Sequence, residues 1–151
     1  MEPDGRVITF LLGDELYAVN ILNVQEVIPL PDITRVPFLP GFVVGVTNLR
    51  GEVLAIADLG TFFELPGTGK IIKDRVVVVE YEHIRMGFMV DTVAGVKFLD
   101  RERMMSPPEG MAGKVVRYLS SVLREEDEVV LLLDLGKIVA SEEFRFLQEK
   151  R

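Results

Sequence analysis

The chain has 151 residues, 48% of them hydrophobic and 27% charged, with a formal net charge of −7 and no cysteine. A chain of this size buries roughly 68–70% of its unfolded surface, enough for a genuine core, and the composition is globular. The acidic balance excludes a general phosphate-backbone binder, which concentrates Lys and Arg to displace counterions. The lack of cysteine excludes disulfide frameworks, thiolate metal sites and thiol nucleophiles.

In chain order, Met1-Glu2-Pro3-Asp4-Gly5-Arg6 lacks the basic segment and apolar run of a secretory signal. No apolar stretch approaches the ~18–20 residues of a membrane span, so the expectation is a cytoplasmic protein without direct membrane insertion. Val7-Ile8-Thr9-Phe10-Leu11-Leu12, then Gly13-Asp14-Glu15, then Leu16-Tyr17-Ala18-Val19 reads as a β-hairpin with a short loop. Pro29-Leu30-Pro31 and Val36-Pro37-Phe38-Leu39-Pro40 read as loops, because neither set of prolines fits a central strand. A turn or two of helix is expected near Gly41-Phe42-Val43-Val44. Gly67-Thr68-Gly69-Lys70 touches on a phosphate-loop pattern, but Glu64 stands where its first Gly belongs and Ile71 where its Ser or Thr belongs. The segment is read as a linker. A second hairpin follows, Val76-Val77-Val78-Val79-Glu80-Tyr81 and Met86-Gly87-Phe88-Met89-Val90, with Glu82-His83-Ile84-Arg85 between them. Ser141, followed by Glu142 and Glu143, is the expected N-cap of a C-terminal helix over residues 141–151.

The two halves repeat one another. Val46-x5-Glu52-Val53-Leu54-x-Ile56-x-Asp58-Leu59-Gly60 recurs 76 residues later as Val122-x5-Glu128-Val129-Val130-x-Leu132-x-Asp134-Leu135-Gly136. The Val-x-x-Val step at Val24-Gln25-Glu26-Val27 recurs 69 residues later at Val93-Ala94-Gly95-Val96. This predicts two related β-subdomains, about 5–66 and 73–140. With about five short strands each, they are expected to form two small closed or half-closed barrels, side by side and filled by their own side chains.

The chemical inventory is thin. There is one His, His83, in a hairpin turn, and no Ser in a Gly-x-Ser-x-Gly elbow, so no catalytic residue is assigned. Asp58 and Asp134 occupy equivalent places before Leu-Gly, where Asp side chains bind turn amides, and they are read as closing equivalent turns. No His, Asp or Glu spacing points to a metal, and no cofactor is expected.

Taken together, several segments resemble the CheW family of chemotaxis coupling proteins over nearly the whole chain. They are Gly13-Asp14-Glu15-x-Tyr17-Ala18-Val19-Asn20-Ile21-Leu22-x-Val24-Gln25-Glu26-Val27-Ile28, Ile33-Thr34-Arg35-Val36-Pro37, Gly45-Val46-Thr47-Asn48-Leu49-Arg50-Gly51 with Asp58-Leu59 behind it, Gly87-Phe88-x-Val90-Asp91-x-Val93, Leu131-Leu132-Leu133-Asp134-Leu135 and Ser141-Glu142-Glu143. The resemblance implies one CheW-like domain over 5–141, all-β, made of two SH3-like five-stranded barrels. It implies a non-catalytic adaptor at membrane-associated receptor arrays, linking the chemoreceptor cytoplasmic tip to the regulatory domain of the histidine kinase CheA. Departures are small: Ala55 and Ala57 stand where Pro and Val are frequent, and Asn20 where Asp is. Within the same class, the chain could serve a paralogous motility array. From a different class, a double β-barrel could bind a small ligand or an oligonucleotide, against which stand the acidic balance and the lack of interleaved basic and aromatic residues.

The resemblance also places Glu26 near Arg50 as a polar pair ordering a binding surface, and associates Val24 and Val96 with receptor binding between the subdomains. Gly45 and Gly51 bracket the motif, serving turn geometry, partner contact or both. Gly87 is read chiefly as a structural strand glycine. In the second half the repeat replaces Asn48-Leu49-Arg50-Gly51 by Arg124-Glu125-Glu126-Asp127, which makes Asn48 and Arg50 the candidates for function and Val46, Val53, Ile56 and Asp58 the candidates for fold.

Overall fold

The structure, a computed structural model, describes residues 5–66 and 73–147. Strands β1 (Arg6–Leu12) and β2 (Glu15–Asn20) form the first hairpin, with Leu12 opposite Glu15 across the Gly13-Asp14 turn. A 3-10 turn at Ile21–Asn23, capped by the Asn20 side chain, leads into β3 (Val24–Pro29). Strands β4 (Val43–Leu49) and β5 (Glu52–Asp58) form a second hairpin, followed by the short helix α1 (Leu59–Phe62). Strands β6 (Arg75–Tyr81) and β7 (Ile84–Val90) turn at Glu82 and His83, whose φ values of 50° and 73° are those of a two-residue type I′ turn. Then come β8 (Thr92–Phe98), β9 (Met104–Met105), β10 (Leu119–Arg124), β11 (Val129–Leu133) and the helix α2 (Leu135–Ala140). The segment read as a linker, 67–70, lies outside the described residues.

Hydrogen bonding sorts the strands into a first sheet, β8-β1-β2-β11-β10-β9, and a second, β3-β6-β7-β5-β4. The all-β expectation is met, with five core strands in each sheet and β9 added to the first. Closure is not: both strand orders are linear, so these are open sheets rather than closed barrels. The free edge of β4 is taken by Thr34, which exchanges two 2.8 Å backbone hydrogen bonds with Val46 and leaves no ladder for β3. In the first sheet β9 does the same to β10, Met105 pairing with Val122, the residue 76 positions beyond Val46.

The halves of the sequence repeat are not the two sheets. The second sheet is built from the continuous stretch 24–90, and the first from the flanking stretches 6–20 and 92–133. The boundary that the repeat sets between its halves therefore separates β5 from β6, two strands of the same second sheet. Among the described residues the chain passes between sheets at Ile21–Asn23 and at Asp91. Each hairpin pairs with strands from the other half.

The repeat holds residue for residue at the level of register. Val24 pairs with Val79 and Glu26 with Val78, so that Gln25 is the extra residue of a β-bulge; 69 positions on, Val93 pairs with Phe10 and Gly95 with Thr9, which leaves Ala94 as the extra residue. Val44 is likewise skipped in β4, and Ser120, 76 positions later, in β10. A bulge turns the following side chains to the opposite face. Val24 therefore packs on the core shared by both sheets, while Ile28 packs on the second sheet's own small core.

Three apolar clusters follow. The largest lies between the sheets and includes Phe10, Tyr17 and Val19 from one and Val77, Val79 and Phe88 from the other. Each sheet also curls over a smaller cluster, Val7, Ala18, Leu123, Val130 and Leu132 in the first, and Leu54, Ile56, Val76 and Val78 in the second.

Asp58 and Asp134 do bind amides through their side chains, accepting the Thr61 N–H at 3.3 Å and the Lys137 N–H at 3.1 Å, and as N-caps of α1 and α2 rather than in plain turns. One local expectation fails, and another is met in a different helix type. Val43 and Val44 begin a strand rather than a helical turn, because the chain there is anchored by the buried Phe42 and paired with Ala57. Ser141 directly precedes the expected C-terminal helix, a 3-10 helix over Glu142–Leu147 whose first bond, from the Phe144 N–H at 3.1 Å, its carbonyl accepts; its hydroxyl donates back to the Ile138 carbonyl at 2.8 Å, and residues 148–151 lie outside the described residues. Phe144 drives that geometry, packing 4.9 Å from both Phe42 and Phe62.

Candidate functional site

Arg50 and Gly51 form the two-residue turn between β4 and β5, with φ of 53° and 85°. Both fall in the left-handed region that a type I′ hairpin turn requires. Gly51 adopts it without penalty, and Asn48 stabilises the turn by accepting the Gly51 N–H at 2.9 Å. This geometry projects Arg50, with its side chain 68% exposed, toward β3.

There the guanidinium forks onto Glu26: one nitrogen donates to Oε1 at 2.8 Å and the other donates to Oε2. Since β3 and β4 are the opposite edges of the second sheet, this ion pair bridges the seam that the backbone leaves open. Beneath it Ile28 from β3 and Leu49 from β4 join the same small core. The hydrogen bonds from Arg50 hold the Glu26 carboxyl below the usual Glu range. Desolvation opposes this, and the charges of Arg50 and Arg85 add to it.

A second polar chain completes the rim. Arg85 on β7 donates to Glu52 on β5 and, from Nε at 2.8 Å, to Gln25 at the β3 bulge; Gln25 in turn donates to Glu80 on β6. The bulge lets Gln25 and its neighbour Glu26 both serve this rim. The result is a ring of Gln25, Glu26, Arg50, Glu52, Glu80 and Arg85 across the mouth of the curled sheet. Beside it a groove of about 740 Å³, lined by Val36, Leu39, Val53, Ile84 and Phe146 among others, reaches Arg85. Val53 on its floor is 67% exposed. Charged and hydrogen-bonding groups around exposed apolar side chains are the composition of a protein-binding surface.

The candidate residues fall into three groups. Glu26, Asn48, Arg50 and Gly51 come together at the ring. Gly45 and Gly87 are packing positions: a Cβ on Gly45 would lie 2.2 Å from the Thr34 carbonyl oxygen, and one on Gly87 2.6 Å from Val76 Cγ1 and 2.7 Å from Ile56 Cδ1. Val24 and Val96 lie elsewhere, on the edge strands β3 and β8. Their cross-strand partners, Val79 and Ile8, both belong to the core between the sheets, and Val96 is 52% exposed.

Sequence reasoning passed over Gln25, Glu52, Glu80 and Arg85. A signal for two of them was present: Glu80 and Arg85 correspond, 69 positions back, to Leu11 and Leu16, so the repeat carries charge in one copy where the other is apolar. Among the described residues, no cluster of His, Asp and Glu could hold a metal ion, and no helix is long and apolar enough to cross a membrane.

Two interlocked β-sheets with a polar ring beside an exposed apolar groove define the class, a double-sheet binding module. The sequence pattern of the CheW-like domain matches residues 6–143, and the chain belongs to that family. It is 30% identical over 146 residues to the chemotaxis protein CheW of Treponema pallidum, covering 94% of this chain and 86% of that one. It is 34% identical over 134 residues to chemotaxis protein CheW of Klebsiella aerogenes, covering 89% and 81%. The crystal structure of the scaffolding protein TtCheW from Thermoanaerobacter tengcongensis superposes with a TM-score of 0.82 at 26% identity, covering 93% of this chain and 95% of that one.

Proposed function

We propose that this chain is a chemotaxis adaptor that couples the cytoplasmic tips of chemoreceptors to the regulatory domain of the histidine kinase CheA. Membership of the CheW-like family over 6–143 carries the reading, and the curated relatives named above are chemotaxis proteins. Its work is binding rather than catalysis, in the cytoplasm beside membrane-associated arrays, with neither nucleic acid nor membrane insertion involved. The ring centred on Glu26 and Arg50, with the Asn48–Gly51 turn, meets the kinase regulatory domain. Val24 and Val96, at the borders of the inter-sheet core, receive the helical receptor tip. Two partners on two surfaces can influence one another only through the body that links them.

The test is reconstitution: the purified chain, a CheA regulatory domain and a receptor-tip fragment from the same source are mixed and resolved by size. A ternary complex is expected. Failure to bind either partner overturns the reading.

A further inference from the structure

One buried carboxyl group has no task in the adaptor reading. Asp91 is 5% exposed and is the entire connection between β7 and β8. Its Oδ2 accepts the Gly13 N–H at 2.6 Å, at the turn of the first hairpin. Its own N–H donates to the Leu11 carbonyl at 3.1 Å, and its carbonyl accepts the Asp74 N–H at 3.4 Å, just ahead of β6. Asp91 is thus fastened to the first sheet through Leu11 and Gly13 and to the second through Val90 and Asp74.

Stability alone does not account for an Asp at this point. Among the described residues its Oδ1 has no hydrogen-bond partner, and a buried polar oxygen left unpaired is unfavourable. The device is also not part of the repeat. The residue 69 positions before Asp91 is Leu22, 60% exposed in the three-residue turn of the other crossing, and the counterpart of Gly13 is Glu82.

We propose that Asp91 is a positioning residue: by holding the Gly13 turn against the one-residue crossing, it fixes the angle between the two sheets and so couples a receptor tip that spans both sheets to a kinase domain held on the second. The geometric part stands on the contacts above; the coupling part rests on the adaptor reading. The second sheet carries the Glu26–Arg50 ring and Val24, and the first carries the exposed Val96, so a receptor tip seated on both valines straddles the joint while the kinase domain sits on one side of it. A rigid joint lets a displacement imposed at one surface reach the other, whereas a loose joint absorbs it.

The chain has no cysteine, so spin labels go only where they are placed. Glu82→Cys in the second sheet and Arg124→Cys in the first, both exposed, report the inter-sheet distance by pulsed electron resonance. In the otherwise native chain and in Asp91→Asn, which keeps an acceptor for Gly13, a single narrow distribution is expected. In Asp91→Ala the distribution broadens into a second population, and the Gly13 amide loses hydrogen-exchange protection. With both partners present, Asp91→Ala keeps each separate affinity within about twofold, while the effect of the receptor tip on kinase-domain affinity falls about tenfold. An unchanged distance distribution in Asp91→Ala overturns the proposal. Unfolding of Asp91→Ala also overturns it, since the residue would then be a stability element. If the native chain binds neither partner, the adaptor reading fails, and the distance measurement still decides the joint.

Discussion

Arg50 and Glu26 are joined across the open seam of the second sheet, the arginine carried on a left-handed turn at one edge and the glutamate set beside a bulge on the other. The pair closes with side chains what the backbone leaves open, and most of the arginine stays in solvent. An exposed pair of this kind contributes little to stability. Its consequence is to hold a guanidinium, with donors to spare, at a defined place on the surface.

Arg50→Ala is therefore expected to fold normally, with a melting temperature within about 2 °C of the parent. Its affinity for the kinase regulatory domain falls about tenfold or more, as for a hot-spot arginine. Calorimetric titration alongside a thermal melt separates the two effects. Full affinity in Arg50→Ala would remove the ring from the partner surface.

The lowered acidity range of Glu26 gives a pH signature with a definite sign. A carboxyl whose folded value lies below its ordinary 4.5 contributes stabilisation that is fully present above that ordinary value, and loses it as pH falls through the folded one. Acidification from pH 7 should thus leave the Arg50 contact intact until below the usual Glu range, and Glu26→Gln should remove that late step. Melting temperature and partner affinity, each followed against pH in both chains, provide the check.

Gly45 and Gly87 should behave oppositely to Arg50. Gly87→Ala drives a methyl group against Val76 and Ile56, at an expected cost of about 1–3 kcal/mol of stability. Gly45→Ala meets a backbone carbonyl, which cannot rotate away, and should displace Thr34 from its bridge to Val46. Denaturant unfolding gives the order Arg50→Ala, then Gly87→Ala, then Gly45→Ala in increasing damage. A Gly45→Ala chain as stable as the parent would contradict that packing.

Val96→Asp tests the division of surfaces. The side chain is half exposed on an edge strand, so the fold should tolerate a charge there. Receptor-tip binding should be lost and kinase-domain binding kept, each measured separately. Loss of both or of neither would reject the assignment of Val96 to the receptor side.

Much of the local structure was legible because it is written in neighbouring residues. The β1–β2 and β6–β7 hairpins were read from strand and turn residues, and Asp58 and Asp134 were recognised as binding nearby amides. The repeat offsets of 69 and 76 also reach into the structure, where they align bulges and cross-strand partners. Ser141 with its two glutamates marked the start of the C-terminal helix, but not that the helix would be 3-10, because the burial of Phe144 among Phe42 and Phe62 was not visible in the sequence. The polar ring was legible only at Glu26 and Arg50, through family resemblance, since its members come from four strands and a turn.

By itself the sequence determined the β class, the duplication and the asymmetry between the Asn48–Gly51 turn and its acidic counterpart, because alternation, turn chemistry and repetition are properties of order along the chain. Only the tertiary structure decided that the halves exchange hairpins, that the sheets stay open, and that Arg50 meets Glu26 across a seam. Strand pairing depends on which free edge is nearest in space, and Thr34 takes the edge of β4 before β3 can reach it.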